Sequence, residues 1–137
     1  MTTSTAIQQF LAFDWGKLRV GVASGNTLTK SAQGVATLTE QGSARDQVIL
    51  KLVKEWRPHA LVVGVPYHPD GAPHKNTNLA KQFAQNLRGL TGTLVHEVDE
   101  RYSTTEAKAD NPRAREAKLD AFSACIILEQ YMRSLPE

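Results

Sequence analysis

Phe10-Leu11-Ala12-Phe13-Asp14-Trp15-Gly16-Lys17-Leu18-Arg19-Val20-Gly21-Val22-Ala23-Ser24 decides how this chain is read. Phe10 to Phe13 is a continuous apolar run, the composition of a strand covered on both faces. Trp15-Gly16-Lys17 interrupts it where a hairpin turn is needed, and Gly16 permits the positive φ such turns use. Leu18 to Ala23 is apolar again, apart from Arg19. The stretch therefore predicts a strand, a tight turn and a second strand, with a carboxylate, Asp14, at the end of the first. A charge at the end of a central strand is costly unless a cation, a hydrogen-bond donor or water meets it. Asp14 reads either as the residue that starts the following turn or as a ligand for a divalent metal.

Outward from this hairpin, Gly25-Asn26 signals a turn, and Ser31 to Leu38 predicts a third strand weakened by Gly34. Ser43 can cap a helix in which Val48, Leu52, Val53 and Trp56 share one face, and Pro58 ends it. Ala60 to Val65 is a short apolar run, the mark of a buried strand, and Pro66 to Lys75 is a loop. Asn76 to Leu90 carries Leu79, Phe83, Ala84 and Leu87 at helical spacing and is expected to close at Gly89. Leu94 to Val98 is a further strand, ending in Asp99-Glu100-Arg101. Strands alternating with helices argue for parallel pairing through right-handed crossovers.

Ser103-Thr104-Thr105-Glu106 matches a capping box, so a helix is expected there, stopped by Asp110-Asn111-Pro112. Arg113 to Lys118 reads as a charged loop or the first turn of the next helix. Lys118 to Arg133 is apolar over a wide arc, and small Ser123 and Ala124 let it approach the sheet closely. The expectation is an α/β fold with a mixed five-stranded sheet, three antiparallel strands followed by parallel ones, flanked by helices. Residues 1–8 are expected to be a flexible tail before a single domain over 9–137.

The chain has 137 residues, 41% of them hydrophobic and 22% charged, which suits one globular domain with its own core. A net charge of +2 is compatible with a polyanionic partner without requiring one. The single cysteine, Cys125, excludes an internal disulfide and a Cys-based metal site, and its apolar surroundings predict packing. No apolar run reaches membrane-spanning length, and the start lacks the basic-then-apolar pattern of a secretion signal. A cytoplasmic protein with no membrane partner is expected.

Sites in such sheets lie outside the carboxyl ends of the strands. Asp14 ends the first strand, Glu100 ends the last, and Asp120 lies near the start of the closing helix. Side chains alternate along a strand, so only one of Asp99 and Glu100 can aim at a common site; Glu100 is favoured, with Asp99 its competitor. Asp120 can equally serve the helix dipole. If the first and last parallel strands are neighbours the three converge, and an oxygen-only donor set then favours Mg²⁺ or Mn²⁺ over zinc. Two such ions about 3.5–4 Å apart can stabilise both attacking and leaving oxygens of a phosphodiester.

Four segments together resemble the YqgF (RuvX) family of ribonuclease H-like proteins. They are Phe13-Asp14-Trp15-Gly16-Lys17-Leu18-Arg19-Val20-Gly21-Val22-Ala23, Val63-Gly64-Val65-Pro66-Tyr67-His68-Pro69-Asp70-Gly71, Val98-Asp99-Glu100-Arg101-Tyr102-Ser103-Thr104, and the helix from Lys118 through Asp120 to Tyr131. The resemblance spans nearly the whole chain after the tail. It implies an RNase H-like fold related to Holliday-junction resolvases, with catalytic, metal-binding acids at Asp14, Glu100 and Asp120. It also implies a metal-dependent nuclease that matures the 5′ end of 16S rRNA, working on nucleic acid and associating with ribosome precursors. Trp15 departs from the family's usual residue there, and the segment from Asp110 to Lys118 lacks an expected glycine.

Arg19, Arg101 and Lys118 flank the acids in this reading and are candidate phosphate contacts, or else surface charges. Trp15, Tyr67 and Tyr102 can stack on unpaired bases or pack in the protein, and His68 and His74 can assist proton transfer or be solvated. His96-Glu97 lacks the second histidine of a zinc-protease motif, and Lys17 matches no P-loop. Competing functions are a junction-cleaving DNA endonuclease, which a homodimer rather than a monomer would favour, and a nucleic-acid-binding module without catalysis. Asp14-Trp15-Gly16 also resembles the first phosphate loop of sugar-kinase and actin-like ATPases, but the chain is too short for their two lobes.

Overall fold

In the computed structural model the described residues are 6–100 and 116–136, side chains in the latter stretch being described from 121. The expected helix after Ser103, its stop at Asp110-Asn111-Pro112 and the charged run that follows lie outside them. The described elements are β1 (Gln9–Trp15), β2 (Val20–Asn26), β3 (Ala32–Leu38), α1 (Gly42–Trp56), β4 (Ala60–Val65), α2 (Thr77–Thr91), β5 (Leu94–Asp99) and α3 (Glu116–Arg133).

β1 is the centre of the sheet because its apolar run can be covered on both faces: Phe10, Leu11, Ala12 and Phe13 are all buried. The strand order is β3-β2-β1-β4-β5, so the first and last parallel strands are not neighbours as expected: β4 lies between them, and side chains of β1 and β5 can meet only across it. β2 pairs antiparallel with β1 and β3 antiparallel with β2, whereas β4 runs parallel to β1 and β5 parallel to β4. The expected mixed sheet is therefore present, and the carboxyl ends of β1, β4 and β5 share one edge. The turn from β1 to β2 is tight: a Cβ on Gly16 would stand 2.7 Å from the Arg19 carbonyl oxygen.

Strand alternation divides the core between the two faces. Leu11, Phe13, Leu61 and Val63 pack with Ile49 of α1 and with Phe83, Ala84 and Leu87 of α2. Phe10, Ala12, Ala60 and Val62 pack with Ile127, Leu128 and Met132 of α3. Each of the large side chains fully buried here contributes roughly 1.5–3 kcal/mol of transfer free energy. Edge-to-face ring contacts complete both layers, Phe13–Phe83 at 5.9 Å and Phe10–Tyr131 at 5.4 Å.

Three local expectations are corrected. α1 starts at Gly42 with Gln41 as its N-cap, so Ser43 is already inside the first turn. The expected face of α1 is present, Val48, Leu52, Val53 and Trp56 all packing half-buried against the core beside fully buried Ile49. α2 runs through Gly89 and stops at Gly92, whose φ of 68° lets its N–H reach the Arg88 carbonyl at 3.0 Å. Leu79, expected in the core, is 44% exposed.

Candidate active site

Asp14 is the sixth residue of β1, on the strand's α3 face in step with Phe10 and Ala12, and is 6% exposed. Its neighbour across β2 is Gly21, and its neighbour across β4, one step beyond the Phe13–Val63 pair, is Gly64. No side chain therefore rises on either side of the Asp14 carboxylate. Asp14 lies within the ladder, paired opposite Gly21, instead of initiating the turn.

Glu100 follows β5 directly. Its N–H donates to the Val65 carbonyl at 3.1 Å, which carries the β4–β5 ladder one residue past the Val65–Asp99 pair. Alternation settles which acid faces Asp14. His96 stacks on Tyr131 of α3 at 5.3 Å, and Val98 packs in the cluster beneath that helix. Glu97 turns the other way and pairs with Lys81 at 3.3 Å and Arg88 at 3.4 Å on α2. Glu100 thus shares the face of Asp14, and Asp99 shares that of Glu97. Glu100 is 7% exposed, and its Oε2 would stand only 3.0 Å from a Cβ placed on Gly64. The same Cβ would meet Ile127 Cδ1 at 2.5 Å, so the absence of a side chain at Gly64 lets both α3 and Glu100 close over β4.

Asp120 lies in the first turns of α3, three and four residues ahead of fully buried Ser123 and Ala124. Its side chain lies outside the described residues. The same holds for the side chain of Lys118, and Arg101 is outside altogether. Arg19 is half-buried at this edge, one residue before β2. Among the described residues no three His, Cys, Asp or Glu side chains form a cluster. Two buried carboxylates around a position without a Cβ make a hard-oxygen cradle, and that donor chemistry fits a divalent cation.

Sequence reasoning missed three contributors. Gly64 was visible only as part of a familiar segment. Ser123 was read as a small packing residue, yet its Oγ is fully buried with no hydrogen-bond partner among the described residues. Thr77, 2% exposed, fixes the loop beside the site: its hydroxyl donates to the Pro66 carbonyl and accepts the His74 N–H at 2.7 Å. That loop closes through a turn at Asp70-Gly71, where Asp70 Oδ1 accepts the Ala72 N–H at 2.9 Å. The rings of His68 and His74 lie 5.0 Å apart, and His74 Nδ1 accepts the Asn76 N–H at 3.1 Å.

The sequence matches the model of the RuvX family, described as Holliday junction resolvase, over residues 8–134. A Polaromonas protein named "Putative pre-16S rRNA nuclease" is 54% identical over 133 residues, covering 97% of this chain and 94% of that protein. One of the same name from Albidiferax ferrireducens is 53% identical over 129 residues, covering 94% and 80%. Among solved structures, Thermus thermophilus RuvC in complex with a Holliday junction substrate superposes with a TM-score of 0.59 at 13% identity, covering 93% of this chain and 94% of that one. At that identity the likeness is one of fold.

Proposed function

The chain belongs to the RuvX family, and from that membership we propose a nuclease whose Asp14, Glu100 and Asp120 hold divalent metal to hydrolyse phosphodiester bonds of precursor 16S rRNA. The observation that carries this reading is the meeting of Asp14 and Glu100 on one face of the sheet across Gly64. Mg²⁺ or Mn²⁺ is the ion that a set of carboxylate oxygens suits.

When bound, a divalent cation supplies Lewis-acid charge to the phosphodiester and makes water acidic enough to attack it. The protein's part is to fix the donors. Asp14 sits on a strand paired on both sides, and Glu100 is tied by its N–H to β4, so the backbone that carries each carboxylate is held by a ladder. Asp120, carried on α3, is assigned as the third ligand, and Arg19, Arg101 and Lys118 are assigned to backbone phosphates. The protein acts in the cytoplasm, on ribosome precursors.

Replacing Asp14 by Asn keeps shape and removes charge. We expect Asp14→Asn to lose about a thousandfold in cleavage of precursor rRNA, equivalent to about 4 kcal/mol of transition-state stabilisation. Circular dichroism should show it folded; undiminished cleavage by a contaminant-free preparation would remove Asp14 from the chemistry. The family's description favours one second reading, cleavage of junction DNA. Junction cuts are symmetric, so that reading requires a dimer in solution and faster cleavage of junctions than of precursor rRNA.

A further inference from the structure

On the opposite face of the sheet from Asp14, α1 and α2 part at the same strand edge to form a groove of about 740 Å³. Its floor is apolar, with Trp15, Phe83 and the exposed Leu79. Its rim carries three cations, Lys17, Arg45 and Lys75, against one acid, Asp46. Lys17 and Lys75 are exposed and have no ion pair among the described residues. Arg45 is held by neutral acceptors, the Glu40 carbonyl at 3.0 Å and the Gln41 side-chain oxygen, so its charge is not neutralised. Charges that the protein does not pair, set around an aromatic floor, suit a ligand with regularly spaced anions and flat apolar rings.

Trp15 ties this groove to the site. It follows Asp14 on β1, and alternation sends the two side chains to opposite faces of the same strand end. A polymer whose scissile bond lies at Asp14 and Glu100 reaches the groove by crossing the carboxyl end of β1. An aromatic floor can stack only a base that is free of a pairing partner, which favours a single strand over a duplex. We propose that this groove holds the single-stranded RNA segment next to the cleaved bond, with a base stacked on Trp15 and phosphates on Lys17 and Lys75.

The proposal rests on the nuclease reading for its polymer, and binding can be measured apart from cleavage. The full chain carrying Asp14→Asn is titrated with a fluorescent single-stranded RNA oligonucleotide and with a blunt RNA duplex, across a range of salt. Lys17→Glu/Lys75→Glu should weaken single-strand binding at least tenfold and reduce the salt slope by about 1 to 2, one for each lost phosphate contact. Lys51→Glu/Lys54→Glu makes the same charge change at exposed lysines of α1 outside the groove and should leave affinity within twofold. The chain has two tryptophans, so in a Trp56→Phe background the emission of Trp15 alone should be quenched by the single strand. Equal losses in both double variants, an unchanged salt slope, or equal weakening of duplex binding would overturn the groove. Groove-dependent binding by a wild-type protein that cleaves nothing would instead retire the nuclease reading and leave the groove standing.

Discussion

Gly64 carries more of this site than its size suggests. Adding one methyl there would bring it to 2.5 Å from Ile127 and 3.0 Å from the Glu100 carboxylate. Either α3 lifts from β4 or Glu100 turns away. Gly64→Ala is expected to cost about 1–3 kcal/mol as overpacking, read as a lower urea midpoint at unchanged slope. Its cleavage should fall further than its stability explains, because Glu100 is displaced. A Gly64→Ala protein matching wild type in both would refute the crowded cradle. The choice between Asp99 and Glu100 stayed open in the sequence because alternation fixes that the two diverge, not which one faces the site. The partners of Glu97 on α2 resolve it, and those lie nine and sixteen residues away in the chain. Cys125 behaves as its apolar setting predicted. Burial, aided by the nearby Glu129 charge, pushes its thiol up to about 11 from 9.0. The protonated form is the one the fold favours, so reactivity should be low at neutral pH and rise as pH approaches 11. At pH 8 alkylation by iodoacetamide should run on the order of a hundredfold slower than for a free cysteine of ordinary pKa; equal rates would show the thiol to be unburied.

Element boundaries follow from chemistry that the chain displays only in part. α2 passes Gly89 because a glycine inside a helix merely weakens it, by roughly 1 kcal/mol relative to alanine. The helix ends where a left-handed residue can turn an N–H back onto a free carbonyl, and Gly92 does this for Arg88. Both glycines were equally eligible stops on local grounds. α1 was legible both as a helix and in its core-facing side chains, since Val48, Leu52, Val53 and Trp56 all pack against the core; that Ile49 is the most deeply buried of the helix emerges only from packing. At the other end of α2, Thr77 holds the helix to β4 and its loop through the Pro66 carbonyl and the His74 N–H. Thr77→Val preserves shape and strands both partners. It should destabilise the protein by about 1–3 kcal/mol, whereas Thr77→Ser, which keeps the hydroxyl, should recover most of that. Equal midpoints for the Val and Ser variants in chemical denaturation would show that the methyl, and not the hydroxyl, matters.

The succession of elements, antiparallel strands and then parallel ones, was the most readable feature of the whole molecule, since each apolar run, turn and helix agreed with the next; that β4 separates β1 from β5 was not legible. What the chain could not state is that acids at positions 14 and 100 face the same side, because that depends on the register of β1, β4 and β5 together. The fold thus makes a property of the entire sheet out of two distant residues, and metal linkage can test that property without substrate. Cation bound at a cradle that exists only in the folded state adds stability as RT ln(1 + [L]/Kd), about 2.7 kcal/mol at a hundredfold excess over Kd. Binding favours the native side, so Mn²⁺ should raise Tm by several degrees and EDTA should reverse the rise. The Asp14→Asn and Glu100→Gln proteins should each lose the shift, since each removes charge from the cradle. Glu97→Gln, which changes a carboxylate on the opposite face paired with Lys81 and Arg88, should retain it. A shift that survives at Asp14→Asn and Glu100→Gln but vanishes at Glu97→Gln would place the metal on the wrong side of the sheet for the proposed chemistry.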